Sequence, residues 1–198
     1  MAYRKHAYVL VFDGFDDHGV SAMLESVRNV AGYRVIAFGL TETAVTAASG
    51  LRVLAEGSPD VIDLARAGLF VLPAGALWEQ PQRNASRDLV TAAVTDLLQS
   101  FDEAAVPLAA IGSGVTALAR AGLLDGVNHT AASARYLETH VPGFSSSGFY
   151  VPAAALSDQN IVTARPDAAR DLAEEVTALL LHARFSPEQE TTHAACAF

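Results

Sequence analysis

The fold class this sequence predicts is a doubly wound α/β protein: a mainly parallel sheet with helices on both faces. Three observations lead there. Apolar runs of strand length alternate with segments of helical period along most of the chain. Those runs are continuously apolar, as strands covered on both faces must be. Each closes at Gly, Pro, Asp or Asn, residues that turn a chain.

The elements follow in order. Ala7-Tyr-Val-Leu-Val-Phe12 reads as a strand ending at the turn signal Asp13-Gly14. From about Asp17 to Ala31, apolar residues at Val20, Met23, Leu24 and Val27 take helical spacing, with Gly32 as C-cap. Arg34-Val-Ile-Ala-Phe-Gly39 is a second strand, and Val45 to Leu54 reads as a short hairpin or irregular edge. Gly68-Leu-Phe-Val-Leu-Pro-Ala-Gly75 is a third buried strand, followed by the polar loop Glu79-Gln-Pro-Gln-Arg-Asn84 and a helix near Ser86–Ser100. Val106–Ile111 is the fourth strand, with a helix over Ser113–Leu124. Ala154-Leu-Ser-Asp-Gln-Asn-Ile-Val-Thr163 suggests a hairpin turning at Asp158-Gln-Asn160. A last helix runs from about Asp167 to Arg184, with Leu172, Val176, Leu179 and Leu180 on one face. The expected domain is 1–185, with 186–198 a loosely ordered tail.

Composition narrows the function classes. The 198 residues are 51% hydrophobic and 18% charged, the profile of a globular protein that buries a sizeable core. Thirteen Lys plus Arg against 22 Asp plus Glu give a net charge of −9, which argues against nucleic acid or an anionic membrane as partner. No apolar run approaches the ~20 residues of a membrane span, and the N-terminus lacks a signal-peptide core. Cys196 is the only cysteine, so no internal disulfide forms and a cytoplasmic location is expected.

The chemistry concentrates at Pro107-Leu-Ala-Ala-Ile-Gly-Ser-Gly-Val-Thr116, a buried strand entering a small-residue turn and then a helix. Enzymes use such an elbow to present a nucleophile to backbone N–H groups that stabilise a developing oxyanion. At the bend stands Gly112, which carries no nucleophile. Ligands of doubly wound sheets sit beyond the carboxyl ends of the strands, so Asp13–Gly19, Pro73–Trp78 and Gly112–Gly114 should border one crevice.

Five stretches carry a family resemblance: Phe12-Asp-Gly-Phe-Asp-Asp17, Gly50-Leu-Arg-Val-Leu54, Leu72-Pro-Ala-Gly75, Ala109-Ala-Ile-Gly-Ser-Gly-Val-Thr116 and Ala119-Arg-Ala-Gly-Leu-Leu-Asp-Gly126. His129-Thr130 and Leu156–Ala164 add to them. In order and spacing, from about Ala7 to Leu181, they resemble the DJ-1/PfpI superfamily, the class I glutamine amidotransferase-like group. The resemblance implies a flavodoxin-like fold. In active members it also implies an elbow cysteine, hydrogen-bonded by a glutamate from the loop after the first strand. Here the cysteine position is Gly112 and the glutamate position is Gly19. The family's Gly-Gly loop is Ala74-Gly75, whose backbone donors are expected to survive. Loss of both side chains favours natural loss of the chemistry over a single engineered Cys-to-Gly change. Homo-oligomerisation, as a dimer, is implied by the resemblance alone.

Other candidates carry two readings each. Ser113 is a nucleophile if a base such as His18 reaches it, and otherwise caps the following helix, the favoured reading. His18 orients a ligand or is simply a polar loop residue. Asp16 and Asp17 are bases or, more simply, acids at a helix start. Trp78, followed by Glu79, walls a ligand pocket or anchors an interface. His129, Tyr150 and Phe149 are weaker pocket candidates. His193 and Cys196 are two ligands where a closed zinc site needs four, so no metal is expected; neither is a cofactor, since no phosphate-cradling or dinucleotide motif is present.

Two function classes follow: a member without cysteine chemistry that binds a small molecule or acts through oligomerisation, and an amidase, peptidase or glyoxalase-like enzyme seen inactivated or relying on Ser113.

Overall fold

In the computed structural model, which describes residues 5–79 and 85–185, side chains alternating between the two faces of the strands separate two apolar layers. Strand β1 (His6–Leu10) turns Ala7 and Val9 to one side and Tyr8 and Leu10 to the other. β5 (Ala67–Leu72) and β6 (Leu108–Ile111) divide their side chains in the same way. Period-two alternation with both sides apolar is why these strands read as unbroken hydrophobic runs.

β1 pairs in parallel with β2 (Arg34–Phe38) and β5, β5 with β6, and β6 with β8 (Ile161–Ala164). β7 (Ala155–Asp158) joins β8 antiparallel as an edge. The sheet order is β2-β1-β5-β6-β8-β7, and a two-stranded ribbon of β3 (Val45–Thr46) and β4 (Arg52–Val53) stands apart. Leaving aside that ribbon and the antiparallel edge, the parallel strands take the flavodoxin-like order 2-1-3-4-5. The order reverses between β1 and β5, which opens the sheet's carboxyl edge there.

Helices α1 (Asp17–Ser26) and α5 (Ala169–Phe185) cover one face through Val20, Met23, Leu172, Val176 and Leu180. Helices α2 (Ala85–Glu103) and α3 (Val115–Arg120) cover the other, with α4 (Ala134–His140) beside α3. Asp16 caps α1, its carboxylate accepting from the Gly19 N–H at 3.1 Å. A π turn over Val27–Ala31 extends that helix to Gly32, whose φ of +73° closes it as expected. Both hairpins expected from the sequence are present, at Val45–Val53 and Ala155–Ala164.

The helix after the elbow is shorter than the sequence implies. Gly112–Gly114 forms a 3₁₀ turn, and α3 stops at Arg120 rather than reaching Leu124. Gly122 N–H bonds the Ala119 carbonyl and Leu123 N–H the Leu118 carbonyl, a Schellman closure made by Gly122 at φ +76°. Helix α4 was not foreseen. It is seven residues long, and its signal is the cap Ser133, which accepts from the Tyr136 N–H at 3.0 Å. Residues 80–84 of the polar loop, the tail from Ser186, and with it His193 and Cys196, lie outside the described residues.

Candidate functional site

Hydrogen bonds bring the three expected segments together. The Asp16 N–H donates to the Ala74 carbonyl at 2.8 Å, which ties the start of α1 to the loop after β5. The Gly75 N–H donates to Ser113 Oγ at 2.9 Å, and Ser113 Oγ donates to the Gly75 carbonyl at 3.1 Å, which ties that loop to the elbow. Gly19, Ala74, Gly75, Gly112 and Ser113 thus converge at the switch point of the sheet.

Gly112 keeps the geometry of an elbow. Its φ is +56°, a left-handed conformation that side chains adopt only under strain. The space a side chain there would need is closing: a Cβ on Gly112 would lie 3.2 Å from the Ala74 methyl and 3.4 Å from Pro166. Ala74, where the family resemblance implies glycine, supplies the nearest of those contacts. At Gly19 a Cβ would lie 2.7 Å from Asp16 Oδ2 and 3.5 Å from Ile111 Cδ1. The free oxygen of the capping carboxylate crowds the place where a residue at 19 would begin, while Ile111 lies at ordinary contact distance.

Ser113 does not cap α3. It sits inside the 3₁₀ turn, buried, and no side-chain bond caps that helix. The hydroxyl turns to Gly75 because that loop passes directly over the turn and offers both a donor and an acceptor. The Gly75 N–H, the expected oxyanion donor, is therefore already satisfied within the protein. His18 is exposed on α1, and no hydrogen bond joins it to Ser113 among the described residues. Asp17 accepts from the Ser49 N–H at 3.2 Å and the Ser49 hydroxyl at 2.6 Å, docking the β3–β4 ribbon. These bonds, the Ser49 hydroxyl above all, hold its carboxyl below the usual range.

Trp78 is not an exposed anchor. It is 3% exposed, donates from Nε1 to the Pro73 carbonyl at 2.8 Å, and packs edge-on against Phe12. An indole that satisfies its N–H internally belongs to the core. His129 is fully buried between Phe144 and Tyr150. Its Nδ1 donates to the Val127 carbonyl at 2.8 Å, and its Nε2 has no partner among the described residues. Phe149 is exposed. Among the described residues, no cluster of His, Cys, Asp or Glu could hold a metal ion.

Sequence reasoning missed a second group of polar residues beside the elbow. Tyr136 on α4 donates to Glu79 Oε1 at 2.8 Å. Burial, helped by the Glu79 carboxylate, pushes its phenol well above the ordinary value. Arg120, at the end of α3, donates from Nη2 to the carbonyls of Trp78 (2.7 Å) and His140 (3.0 Å). Desolvation lowers its pKa. The signal for both was weak, one arginine inside a glycine-rich motif and one tyrosine on an unpredicted helix.

A flavodoxin-like sheet with a left-handed glycine elbow after its fourth parallel strand defines the class: a doubly wound α/β protein. The chain belongs to the DJ-1/PfpI family, whose sequence profile matches residues 5–179. It is similar to the crystal structure of a DJ-1 superfamily protein from Agrobacterium tumefaciens, at 23% identity and TM-score 0.79, covering 93% of each chain. A thiJ/pfpI family protein from Bacillus anthracis is 25% identical with TM-score 0.78, over 91% of this chain and 84% of that one. Oxidized DJ-1 from Toxoplasma gondii is 21% identical with TM-score 0.69, over 93% of both. No curated protein matches the sequence. No helix among the described residues is long and apolar enough to cross a membrane.

Proposed function

We propose that this chain is a DJ-1/PfpI protein that performs no nucleophilic catalysis at its elbow and acts by binding a small molecule and by self-association. One observation carries the reading: the elbow survives at φ +56° without a side chain, and the Ala74 methyl closes the space beside it. Catalysis of acyl or aldehyde chemistry here would need a nucleophile, a base and an unengaged oxyanion donor. Gly112 supplies no nucleophile, Gly19 no acid or base, and the Gly75 N–H is spent on Ser113.

Ser113 does not take over the chemistry in this reading. Its hydroxyl is held between two backbone groups of Gly75, and the exposed His18 does not bond to it. Self-association is supported by Leu51 and Leu54, which are 64% and 71% exposed on the ribbon that Asp17 docks. A cytoplasmic location rests on the single cysteine and is checked by cell fractionation.

The purified chain should show no amidase, peptidase or glyoxalase turnover and should sediment as a dimer or larger species. Turnover abolished by Ser113→Ala or His18→Ala would sink the non-catalytic reading, and a monomer at micromolar concentration would remove self-association from it.

A further inference from the structure

Beside the elbow, and sharing no lining residue with Gly112–Gly114, lies a half-open groove of about 710 Å³ bordered by α2, α3 and α4. That volume falls within the roughly 300–1,000 Å³ of small-molecule sites. Arg120 forms part of its wall, together with Thr91, Thr95, Glu79, Asp125 and His140.

The arginine is anchored but not neutralised. Its Nη2 gives both hydrogens to the Trp78 and His140 carbonyls. The three remaining N–H groups, on Nε and Nη1, have no acceptor among the described residues, and no described carboxylate pairs with it. A partly desolvated guanidinium without a counter-ion is costly to hold, and a ligand carboxylate would offset that cost. Thr91 and Thr95 stand one turn apart on α2 and line the same groove.

The groove also carries negative charge. Glu79 gives one carboxylate oxygen to Tyr136, and Asp125 gives one to the Ser146 hydroxyl at 2.8 Å. Each keeps a second oxygen without a hydrogen-bond partner among the described residues. A ligand bearing only negative charge would be repelled by these two carboxylates, and one bearing only positive charge by Arg120.

We propose that this groove binds a small zwitterion of the α-amino-acid type, with its carboxylate on Arg120 and its ammonium toward Glu79 and Asp125. The inference deepens the reading of the chain as a binding protein, and rests on it, by naming a ligand class and placing it away from the elbow.

Calorimetry on the full chain tests it, with L-alanine, propionate, propylamine and inorganic phosphate as probes. L-alanine should bind, and propionate and propylamine should each bind at least tenfold more weakly. Arg120→Gln should weaken L-alanine binding at least tenfold, the scale of a charged hydrogen bond. Because that change also loosens the carbonyl clamp, Asp125→Asn serves as the second variant: the amide still accepts from Ser146. It should weaken L-alanine several-fold and strengthen propionate, which then faces one repelling carboxylate fewer. No L-alanine binding up to about 10 mM, tighter binding of phosphate than of L-alanine, or affinity unchanged in both variants would each overturn the proposal. Turnover at the elbow would overturn the non-catalytic reading alone, whatever calorimetry shows.

Discussion

Replacing Gly112 with cysteine puts a side chain on the left-handed residue of the elbow. Two terms oppose it. At φ +56° a residue with a Cβ costs roughly 1–2 kcal/mol relative to glycine. The contacts at 3.2 Å to Ala74 and 3.4 Å to Pro166 add crowding of about 1–2 kcal/mol, since only a few tenths of an ångström must be found. The sum is about 2–4 kcal/mol, which in a domain of this size lowers Tm by roughly 5–15 °C. Ala74→Gly removes the nearer contact, so the double variant should recover part of the loss. A double-mutant cycle should give a favourable coupling of about 1 kcal/mol. Chemical denaturation of the four species, all carrying Cys196→Ser so that a single thiol reports, measures both quantities. Alkylation of the new thiol should be slow in Gly112→Cys, where the position is buried, and faster once Ala74 is glycine. A Gly112→Cys variant within about 0.5 kcal/mol of its parent, or a strictly additive double variant, would refute the claim that Ala74 closes the elbow.

Two further outcomes follow from the same neighbourhood. Ser113→Ala should cost roughly 1–2 kcal/mol by leaving the Gly75 N–H without its acceptor; a loss below about 0.5 kcal/mol in a denaturant titration would contradict the role given to Ser113. Folding raises the Tyr136 phenol above its unfolded value of about 10, so the neutral phenol is favoured in the folded chain. The stability this gives is present below that pH and fades as the pH rises toward the folded value. Absorbance titrations of the parent and of Tyr136→Phe should therefore coincide up to about pH 11, and a tyrosinate signal missing from the variant near pH 10 would contradict it.

The sheet was legible because its strands are buried on both faces and their alternation disappears into plain hydrophobicity, as in Leu69–Leu72 and Leu108–Ile111. The convergence on the switch point was legible too, since it needs only strand order and the turn residues at Asp13-Gly14, Pro73–Gly75 and Gly112–Gly114. Side-chain duties were not. Ser113 looks like a cap in one dimension, because nothing in its neighbours reveals that the loop of Gly75 lies 2.9 Å away. Trp78 looks like a surface aromatic for the same reason: its ring partner Phe12 meets it only when β1 and β5 lie side by side. Arg120 gained its meaning from Trp78 and His140, and His140 belongs to a seven-residue helix too short for periodicity to announce.

The carboxylate that opens α1 has a steric consequence. A Cβ at position 19 would stand 2.7 Å from Asp16 Oδ2, while Oδ1 accepts from the Gly19 N–H. The crowded oxygen is the free end of a rotatable carboxylate, and capped helices ordinarily carry a side chain at this third position. Room at 19 is therefore set by the torsion of one aspartate, a hinge pinned by a single backbone N–H.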